Sequence, residues 1–182
     1  MKNRALYMNG KLNLAFKELD IPKPQHGEVL LKIGYCGVCG SDVHFYESGC
    51  IGTTPIKGDL ILGHEAAGTV EAVGEGVTNV KVGDRVVLEP GIGCGHCEYC
   101  KSGRYNLCPD MQFISCPPYQ GAMRNYITHP AHLVYPLPEN VSTLEGALIE
   151  PLCVGMHAAN LGGVKLGDTV VILGAGCIGL TT

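Results

Sequence analysis

Four cysteines fall within one short stretch of the sequence, Cys94-Gly-His-Cys97-Glu-Tyr-Cys100-Lys-Ser-Gly-Arg-Tyr-Asn-Leu-Cys108. Thiols at this spacing suit a tetrahedral zinc ion, which takes four sulfur ligands at about 2.3 Å. The alternative is two disulfides in a secreted scaffold. We favour zinc because the N-terminus has no apolar run of signal-peptide length. Four thiolates close the coordination shell, so this ion would hold structure, and His96 would be an exposed bystander.

Composition limits the possible classes of protein. The chain has 182 residues, 46% of them hydrophobic and 16% charged, which is typical of one globular domain and part of another. Its net charge is −4 and it has no lysine or arginine cluster, so we expect no nucleic-acid partner. The longest apolar run, residues 170–180, is too short to cross a bilayer, so we expect no membrane partner either. Ten cysteines without an export signal indicate a reducing compartment, and we expect the protein to be cytoplasmic.

The pattern of elements divides the chain in two. Twenty-six glycines and eleven prolines are scattered between short apolar runs, which is typical of many short strands joined by tight turns. Residues 1–150 therefore read as a β-rich domain, with the cysteine-rich lobe at 89–109 and a short helix over 41–48 capped by Ser41. Residues 151–182 read as the opening of an α/β domain, with a helix over 151–162.

A glycine motif lies near the end of the chain. Gly174, Gly176 and Gly179 have the G-x-G-x-x-G spacing, with Cys177 and Ile178 between the last two, and they follow a buried strand predicted over 168–173. Such a turn lets the backbone approach a pyrophosphate at a helix N-terminus. The alternative is a glycine-rich turn in a buried strand. The acidic residue expected about 20 positions further on is absent, so we expect the chain to be a fragment of a longer protein.

A second set of candidate metal ligands is spread along the chain: Cys39, His64, Glu65 and Glu150. Taken singly, these could be a small buried residue, a core histidine and acids favoured by their local setting. Cys39 precedes a predicted helix start, which favours the thiolate that a metal needs. His64 and Glu65 would point to opposite faces of a regular strand, so both can face one ion only if the backbone bends. Gly63 permits that bend.

These motifs resemble a known family. The stretch Gly63-His64-Glu65-Ala66-Ala67-Gly68, followed by Gly74 and Val77, is similar to the zinc signature of medium-chain alcohol and polyol dehydrogenases. The four-cysteine lobe, the segment 146–152 and the glycine turn occur in that family's order. The chain most resembles its sorbitol (L-iditol) 2-dehydrogenase branch, and the resemblance covers essentially all of it.

The resemblance implies a β-rich α+β fold: a GroES-like, partly open β-barrel as the catalytic domain, followed by the first strand and turn of a Rossmann domain. It implies two zinc ions. Cys39 and His64 would hold the catalytic ion, with Glu65 and Glu150 as further ligands, direct or through water. NAD would lie at the glycine turn. Relatives form dimers or tetramers, so we expect a homo-oligomer at full length.

The implied reaction is zinc-assisted hydride transfer from a secondary hydroxyl of a polyol, of the sorbitol, xylitol or L-iditol type, to NAD. Ser41 and His44 lie three apart on the predicted helix and would relay the proton, with His44 as general base. Spacing alone fits a capping serine and an exposed histidine equally well. Glu65 and Glu150 complete the expected catalytic set. We expect the chain alone to bind zinc without turning over substrate.

Three residues are expected on the substrate side: Phe45, Phe113 and Cys116. The family has a tyrosine where this chain has Phe45 and a threonine where it has Cys116, so two hydroxyls that could bind a polyol are absent. One alternative is therefore another zinc dehydrogenase, acting on threonine, butanediol or a sugar phosphate. A second alternative, favoured by the expected truncation, is a zinc-stabilised module without catalysis.

Overall fold

The computed structural model describes residues 2–182. Its strands are β1 (Asn3–Met8), β2 (Leu14–Leu19), β3 (Glu28–Cys36), β4 (Cys50–Ile51), β5 (Thr54–Pro55), β6 (Leu60–Ile61), β7 (Ala66–Val73), β8 (Arg85–Leu88), β9 (Gly91–Ile92), β10 (Gln112–Phe113), β11 (Tyr126–Pro130) and β12 (Val134–Pro136). Its helices are α1 (Gly40–Ser48), α2 (Glu98–Lys101), α3 (Thr143–Ala147), α4 (Ile149–Leu161) and α5 (Cys177–Thr181). No helix among these residues has the length and apolar character needed to cross a membrane.

Two antiparallel sheets form the expected partly open barrel. The larger sheet has the order β11-β3-β7-β8-β12, and the smaller has the order β2-β1-β6. The segment leading into β11 joins them, because the Leu6 N–H donates to the Met123 carbonyl at 2.8 Å and the Asn125 N–H donates to the Arg4 carbonyl at 3.0 Å. No pairing joins β11 to β12 within residues 2–182, so the larger sheet stays open.

The main core lies against the inner face of the larger sheet. Alternate residues of its strands point inward, as the two-residue period of a strand requires. The fully buried members include Val29, Leu31, Val70, Val86, Leu88, Ile127 and Val134. Strand β7 lies in the centre of this sheet and begins directly after Glu65. The packed core therefore fixes the backbone beside Glu65, one of the candidate metal ligands.

Glycine allows the backbones beside β7 to approach closely. A Cβ at Gly68 would lie 2.2 Å from the Lys32 carbonyl oxygen, where β3 and β7 shift register. A Cβ at Gly74 would lie 1.8 Å from the Gln25 carbonyl oxygen. Neither contact can be relieved by moving a flexible side chain, so both positions require glycine.

The helix boundaries differ slightly from those predicted. Helix α1 begins at Gly40 and its N-cap residue is Cys39 rather than Ser41. The Asp42 carboxylate takes the capping role, because its Oδ2 accepts the Cys39 N–H at 3.0 Å. Helix α4 begins at Ile149, two residues before the predicted start, and Pro151 lies in its first turn, as expected.

The predicted buried strand over 168–173 is wrong. These residues form no strand, and Val171 and Leu173 are 80% and 94% exposed. A parallel-type strand is stable only when neighbours pair with it and helices cover both its faces. Within residues 2–182 no strand lies beside this segment, so its apolar side chains stay half or more exposed, apart from Ile172, which is slightly less exposed.

One buried histidine links the larger sheet to the cysteine-rich lobe. His129 on β11 is 1% exposed, and its Nε2–H donates to the Glu89 carbonyl at 2.9 Å. Burial lowers the pKa of His129 from 6.5 to about 4. As pH falls, the unfolded chain therefore binds this proton before the folded chain does. The stability contributed by neutral His129 is present above pH 6.5 and is lost as pH falls toward about 4.

We therefore predict a pH-dependent loss of stability that a His129→Gln substitution reduces. Between pH 7 and pH 5 the free energy of unfolding should fall by roughly 2 kcal/mol through this group. The variant should be less stable at pH 7 and should show a smaller drop, as measured by urea unfolding at both pH values. The exposed His26 offers the control, since it is not among the groups that shift the pKa of His129 and His26→Gln should leave the drop unchanged. Equal drops in all three proteins would contradict the assignment.

Candidate metal centres

The four sulfurs of the cysteine-rich lobe meet at one point. The Sγ atoms of Cys94, Cys97, Cys100 and Cys108 all lie within 4.8 Å of one another. Those of Cys94 and Cys100 are 4.0 Å apart. Four sulfurs at about 2.3 Å from a central ion would be about 3.8 Å apart. A disulfide needs about 2.05 Å, and all ten cysteines are free thiols. The geometry fits a tetrahedral metal and excludes the two-disulfide alternative for this structure.

Backbone N–H groups support thiolates in the lobe. The Cys97 N–H donates to the Cys94 Sγ, the Cys100 N–H to the Cys97 Sγ, and the Cys94 N–H to the Cys108 Sγ, each at 3.4 Å. Hydrogen bonds from the His96 and Cys97 backbones lower the pKa of Cys94 to about 6.

Desolvation acts in the opposite direction on Cys100 and raises its pKa to about 12. Since sulfurs this close cannot all ionise without a compensating charge, the donor set fits a divalent cation. His96 is exposed, as expected, with its Nδ1 2.9 Å from the Cys94 carbonyl.

The second cluster forms where the chain bends between β6 and β7. Gly63 has a φ of +88°, and residues 62–65 belong to no strand. His64 and Glu65 therefore both reach Cys39, and one ligand atom from each of the three lies within 4.8 Å of the others. His64 is 5% exposed and Glu65 is 8% exposed. The bend inferred from the adjacent ligands is present.

A glycine makes room for the Glu65 carboxylate. A Cβ at Gly37 would lie 2.1 Å from the Glu65 Oε2, and the Gly37 N–H donates to the Glu65 carbonyl at 2.8 Å. Nearby, burial and then the charges of Asp42 and Glu65 raise the pKa of Cys36 to about 12. Cys36 is therefore a thiol at neutral pH, whereas Cys39, His64 and Glu65 form a mixed sulfur, nitrogen and oxygen donor set that fits zinc.

Glu150 lies outside this cluster. It is in the first turn of α4, and its carboxylate is not within 4.8 Å of all three donors. Burial, followed by the charges of Glu65 and Glu89, raises the pKa of Glu150 to about 7. Glu150 is therefore close enough to Glu65 for the two carboxylates to repel each other, but it does not belong to the group of converging ligand atoms. Its role as a metal ligand stays a prediction.

A cavity of about 520 Å³ opens beside Glu150. Its lining combines apolar side chains of β8 and α4 with polar groups, namely Glu89, Tyr105 and Asn106 from the lobe and His157 from α4. Phe113 also lines it, and the Phe113 ring meets the His64 ring edge-on with centroids 5.2 Å apart. The volume lies within the range of small-molecule sites.

The other substrate-side candidates differ in accessibility. Phe45 is 2% exposed and packs with Met8, Leu60 and Leu62, so it offers almost no surface to a substrate. Its contact with substrate stays a prediction. Cys116 is half-buried, and its contact with substrate stays a prediction.

The proposed proton relay begins beside the cluster. Ser41 is half-buried on α1 and His44 is exposed on the same helix, which suits a path from the site to solvent. Their hydroxyl and imidazole are not joined by a hydrogen bond in the described part of the chain. The relay stays a prediction.

Sequence reasoning missed Asp42. Its carboxylate is buried, with the residue 2% exposed, and it accepts two backbone N–H groups, from Cys39 through Oδ2 and from Gly63 through Oδ1, each at 3.0 Å. It therefore ties the segment that carries Cys39 to the bend that carries His64. The available signal was its position three residues after a helix N-cap, which is typical of a capping box. Assigning the cap to Ser41 hid that signal.

The glycine turn has the local geometry expected of its motif. Gly174 has a φ of +108°, and α5 begins at Cys177 with Gly176 as its N-cap. A Cβ at Gly179 would lie 2.0 Å from the Gly174 carbonyl oxygen, so helix and turn can pack only with glycine there. The turn leads from residues 168–173, which form no strand, into helix α5, so it is not a turn within a buried strand. Pyrophosphate binding by Gly174, Gly176, Cys177, Ile178 and Gly179 stays a prediction.

Comparison with known proteins assigns the family. Residues 25–139 match the model of the alcohol dehydrogenase GroES-like domain, and the chain belongs to that family. The uncharacterised zinc-type alcohol dehydrogenase-like protein YdjJ of Escherichia coli K12 is 50% identical over 184 residues, covering 100% of this chain and 53% of that protein.

Sorbitol dehydrogenase of Macaca fascicularis is 49% identical over 181 residues, covering 100% of this chain and 51% of that protein. The crystal structure of the alcohol dehydrogenase rspB of E. coli CFT073 with NADH superposes with a TM-score of 0.90 at 34% identity, covering 99% of this chain and 51% of that one. The chain spans about half the length of the curated relatives it matches.

We predict that Cys100→Ser removes one bound zinc per chain. The serine hydroxyl is a poor replacement for a thiolate, and a structural zinc contributes directly to folding free energy. Metal content after dialysis should fall by one, and the melting temperature should fall with it. Cys177→Ser is the control, because Cys177 is exposed and outside both clusters. A Cys100→Ser chain that keeps its full metal content would contradict the lobe site.

We predict that Asp42→Asn lowers both the stability of the fold and the metal affinity of the second cluster. The amide has one acceptor oxygen, so its NH₂ group would face a backbone N–H that now donates to the carboxylate. The free energy of unfolding should fall by about 1–3 kcal/mol, and cobalt affinity at Cys39, His64 and Glu65 by about 10–100-fold. Cobalt titration and urea unfolding measure these effects.

The matched control is Asp84→Asn, because Asp84 accepts a backbone N–H from Lys81 at an exposed turn. This variant should keep the wild-type cobalt affinity. An Asp42→Asn chain with unchanged affinity would show that the tie between the two segments does not matter to the cluster.

Proposed function

We propose that this chain is the zinc-binding, substrate-side part of a polyol dehydrogenase that oxidises a secondary hydroxyl with NAD. The observation that carries the proposal is the pair of unlike metal centres. One has four converging sulfurs and no room for a further ligand, whereas the other has three mixed donors, and Phe113, whose ring contacts His64, lines a cavity. A structural ion needs a closed site, and a catalytic ion needs an open position.

The proposed division is a zinc catalytic domain over residues 1–150, with its structural lobe at 89–109, followed by the start of an NAD-binding domain over 151–182. The family match over 25–139 supports the first part. The turn at Gly174 and the start of α5 support the second. A structural neighbour holds NADH, and this favours a nicotinamide cofactor for the protein to which this chain belongs.

Each residue of the open centre would have a distinct task. Cys39, His64 and Glu65 would hold the ion. Bound zinc supplies a Lewis acid that lowers the pKa of a hydroxyl group beside it. Glu150 would approach from α4, where its carboxylate faces the cavity, and contact the ion directly or through water.

The proton from the substrate hydroxyl would pass through Ser41 to His44, which acts as general base at the exposed face of α1. Phe113 would shape the wall between His64 and the cavity. These side chains thus bind, orient and deprotonate the substrate, while hydride acceptance belongs to the nicotinamide.

The polar lining of the cavity and the related sorbitol dehydrogenase favour a polyol as substrate. Carboxylates and phenols can pair with several hydroxyl groups of one molecule, and a site built on such bonds rejects analogues that lack them. With Phe45 buried and Cys116 in place of a hydroxyl residue, Glu150 and Tyr105 are the groups we expect to select the polyol.

A chimera tests the proposal. This chain would replace the aligned N-terminal half of the Macaca fascicularis sorbitol dehydrogenase, with which it is 49% identical. The chimera should bind two zinc ions and reduce NAD in the presence of sorbitol, xylitol or L-iditol, as followed by NADH absorbance. Cys39→Ala in the chimera should lower kcat/KM by roughly 100-fold or more, because the ion loses a ligand.

The control is Cys50→Ala in the same chimera, because Cys50 lies outside both metal clusters, the cavity and the glycine turn, and this variant should keep two zinc ions and most of the activity. A folded chimera with two zinc ions that oxidises threonine, butanediol or a sugar phosphate, and no polyol, would overturn the substrate class. A single zinc and no activity on any of them would favour a zinc-stabilised module.

A further inference from the structure

The loop from Phe113 to Cys116 holds the His64 ring from two directions. The Phe113 ring contacts it edge-on at an interplanar angle of 62°. The Ser115 Oγ lies 3.2 Å from the His64 Nδ1. His64 comes from the bend before β7, and Ser115 lies 51 residues further along the chain. Only the tertiary structure brings them together.

Ser115 occupies a constrained position. It is 3% exposed and has a φ of +67°, in the left-handed region that a residue with a side chain rarely adopts. Backbone bonds on both sides hold it there, from the Ile114 N–H to the Pro90 carbonyl at 3.1 Å and from the Cys116 N–H to the Phe113 carbonyl at 3.1 Å. Within residues 2–182 the His64 ring is the one hydrogen-bond partner of its hydroxyl.

A neutral imidazole has one N–H, and the hydrogen bond at one nitrogen decides which nitrogen is left to bind a metal. If the proton is on Nδ1, that group donates to the Ser115 Oγ and the Nε2 lone pair is free. Histidines that ligate metals generally have such a partner for the second nitrogen, and it fixes both the tautomer and the ring plane.

We propose that Ser115 is a positioning residue that holds His64 as the Nδ1–H tautomer, so that Nε2 faces Cys39 and Glu65. The inference rests on the proposed function in one respect, since it takes this cluster to bind metal. Without the hydroxyl, the buried Nδ1–H would lack an acceptor. The ring would then populate the other tautomer, in which Nε2 bears the proton and cannot bind an ion.

Two variants of the 182-residue chain separate the hydroxyl from the fold. Ser115→Ala removes the hydroxyl and keeps the strained backbone, whereas Ser115→Gly removes the hydroxyl and relieves the strain. A purely structural role predicts that the glycine variant equals or exceeds the wild type in every respect. A positioning role predicts that both variants lose the same property, whatever their stability.

The first measurement is the ¹⁵N chemical shifts of the His64 ring in the chain without metal at the second cluster. The wild type should show mostly the Nδ1–H tautomer, and both variants should show a mixture. The second is cobalt affinity at that cluster, which should fall by about 10–100-fold in both variants. The cobalt ligand-field spectrum should shift as well, because the ring plane is no longer fixed.

An unchanged tautomer and a cobalt affinity within twofold of wild type in both variants would overturn the proposal. So would a loss confined to Ser115→Ala and restored in Ser115→Gly, because strain and not the hydroxyl would then be the cause. If wild-type chain binds no cobalt at this cluster, the proposed function fails, and the ring shifts alone still decide whether Ser115 sets the tautomer.

Discussion

Two adjacent residues, His64 and Glu65, must face the same point, and the rest of the candidate site is arranged around that constraint. A regular strand would send them to opposite sides of a sheet. The chain meets the constraint by leaving strand geometry between β6 and β7, with Gly63 at φ +88°. The bend is held by Asp42, which accepts the Gly63 N–H and the Cys39 N–H with the same carboxylate. One buried anion thereby sets the spacing between two segments that each carry a candidate ligand.

The two metal centres differ in how they are built. The lobe draws all four sulfurs from one short stretch, so its geometry is mostly local and is supported by N–H···S bonds within that stretch. The second centre draws Cys39 from a helix start and His64 and Glu65 from a bend, and Ser115 and Phe113 reach it from a third segment. A site assembled from distant segments depends on the sheet between them. The open β-barrel thus positions the ligands of the second centre, whereas the ligands of the lobe are positioned by the lobe itself.

Glu150 lies beside the second cluster in a region of unbalanced negative charge. Its pKa is raised by burial and by repulsion from Glu65 and Glu89, so three carboxylates share a region in which none of them forms an ion pair with a lysine or arginine of residues 2–182. A cation near Glu65 would relieve that repulsion and favour the charged form of Glu150. Unbalanced negative charge of this kind favours binding of a divalent cation. The repulsion between Glu150 and Glu65 also couples α4 electrostatically to the barrel.

The sequence by itself determined the lobe, the glycine turn and the strand-rich class, because these follow from spacing and from local backbone preferences. It also indicated the bend at Gly63, since two neighbouring ligands need one. Tertiary structure alone decided the rest. The segment 168–173 has the apolar pattern of a buried strand. Such a strand forms only where neighbouring strands pair with it, and the pattern of the segment does not determine whether they are present. The family resemblance places Phe45 on the substrate side, and only the folded chain shows that its ring packs with Met8, Leu60 and Leu62. Asp42 and Ser115 act on residues 21 and 51 positions away, and such contacts depend on how the sheets fold together rather than on any local run of residues.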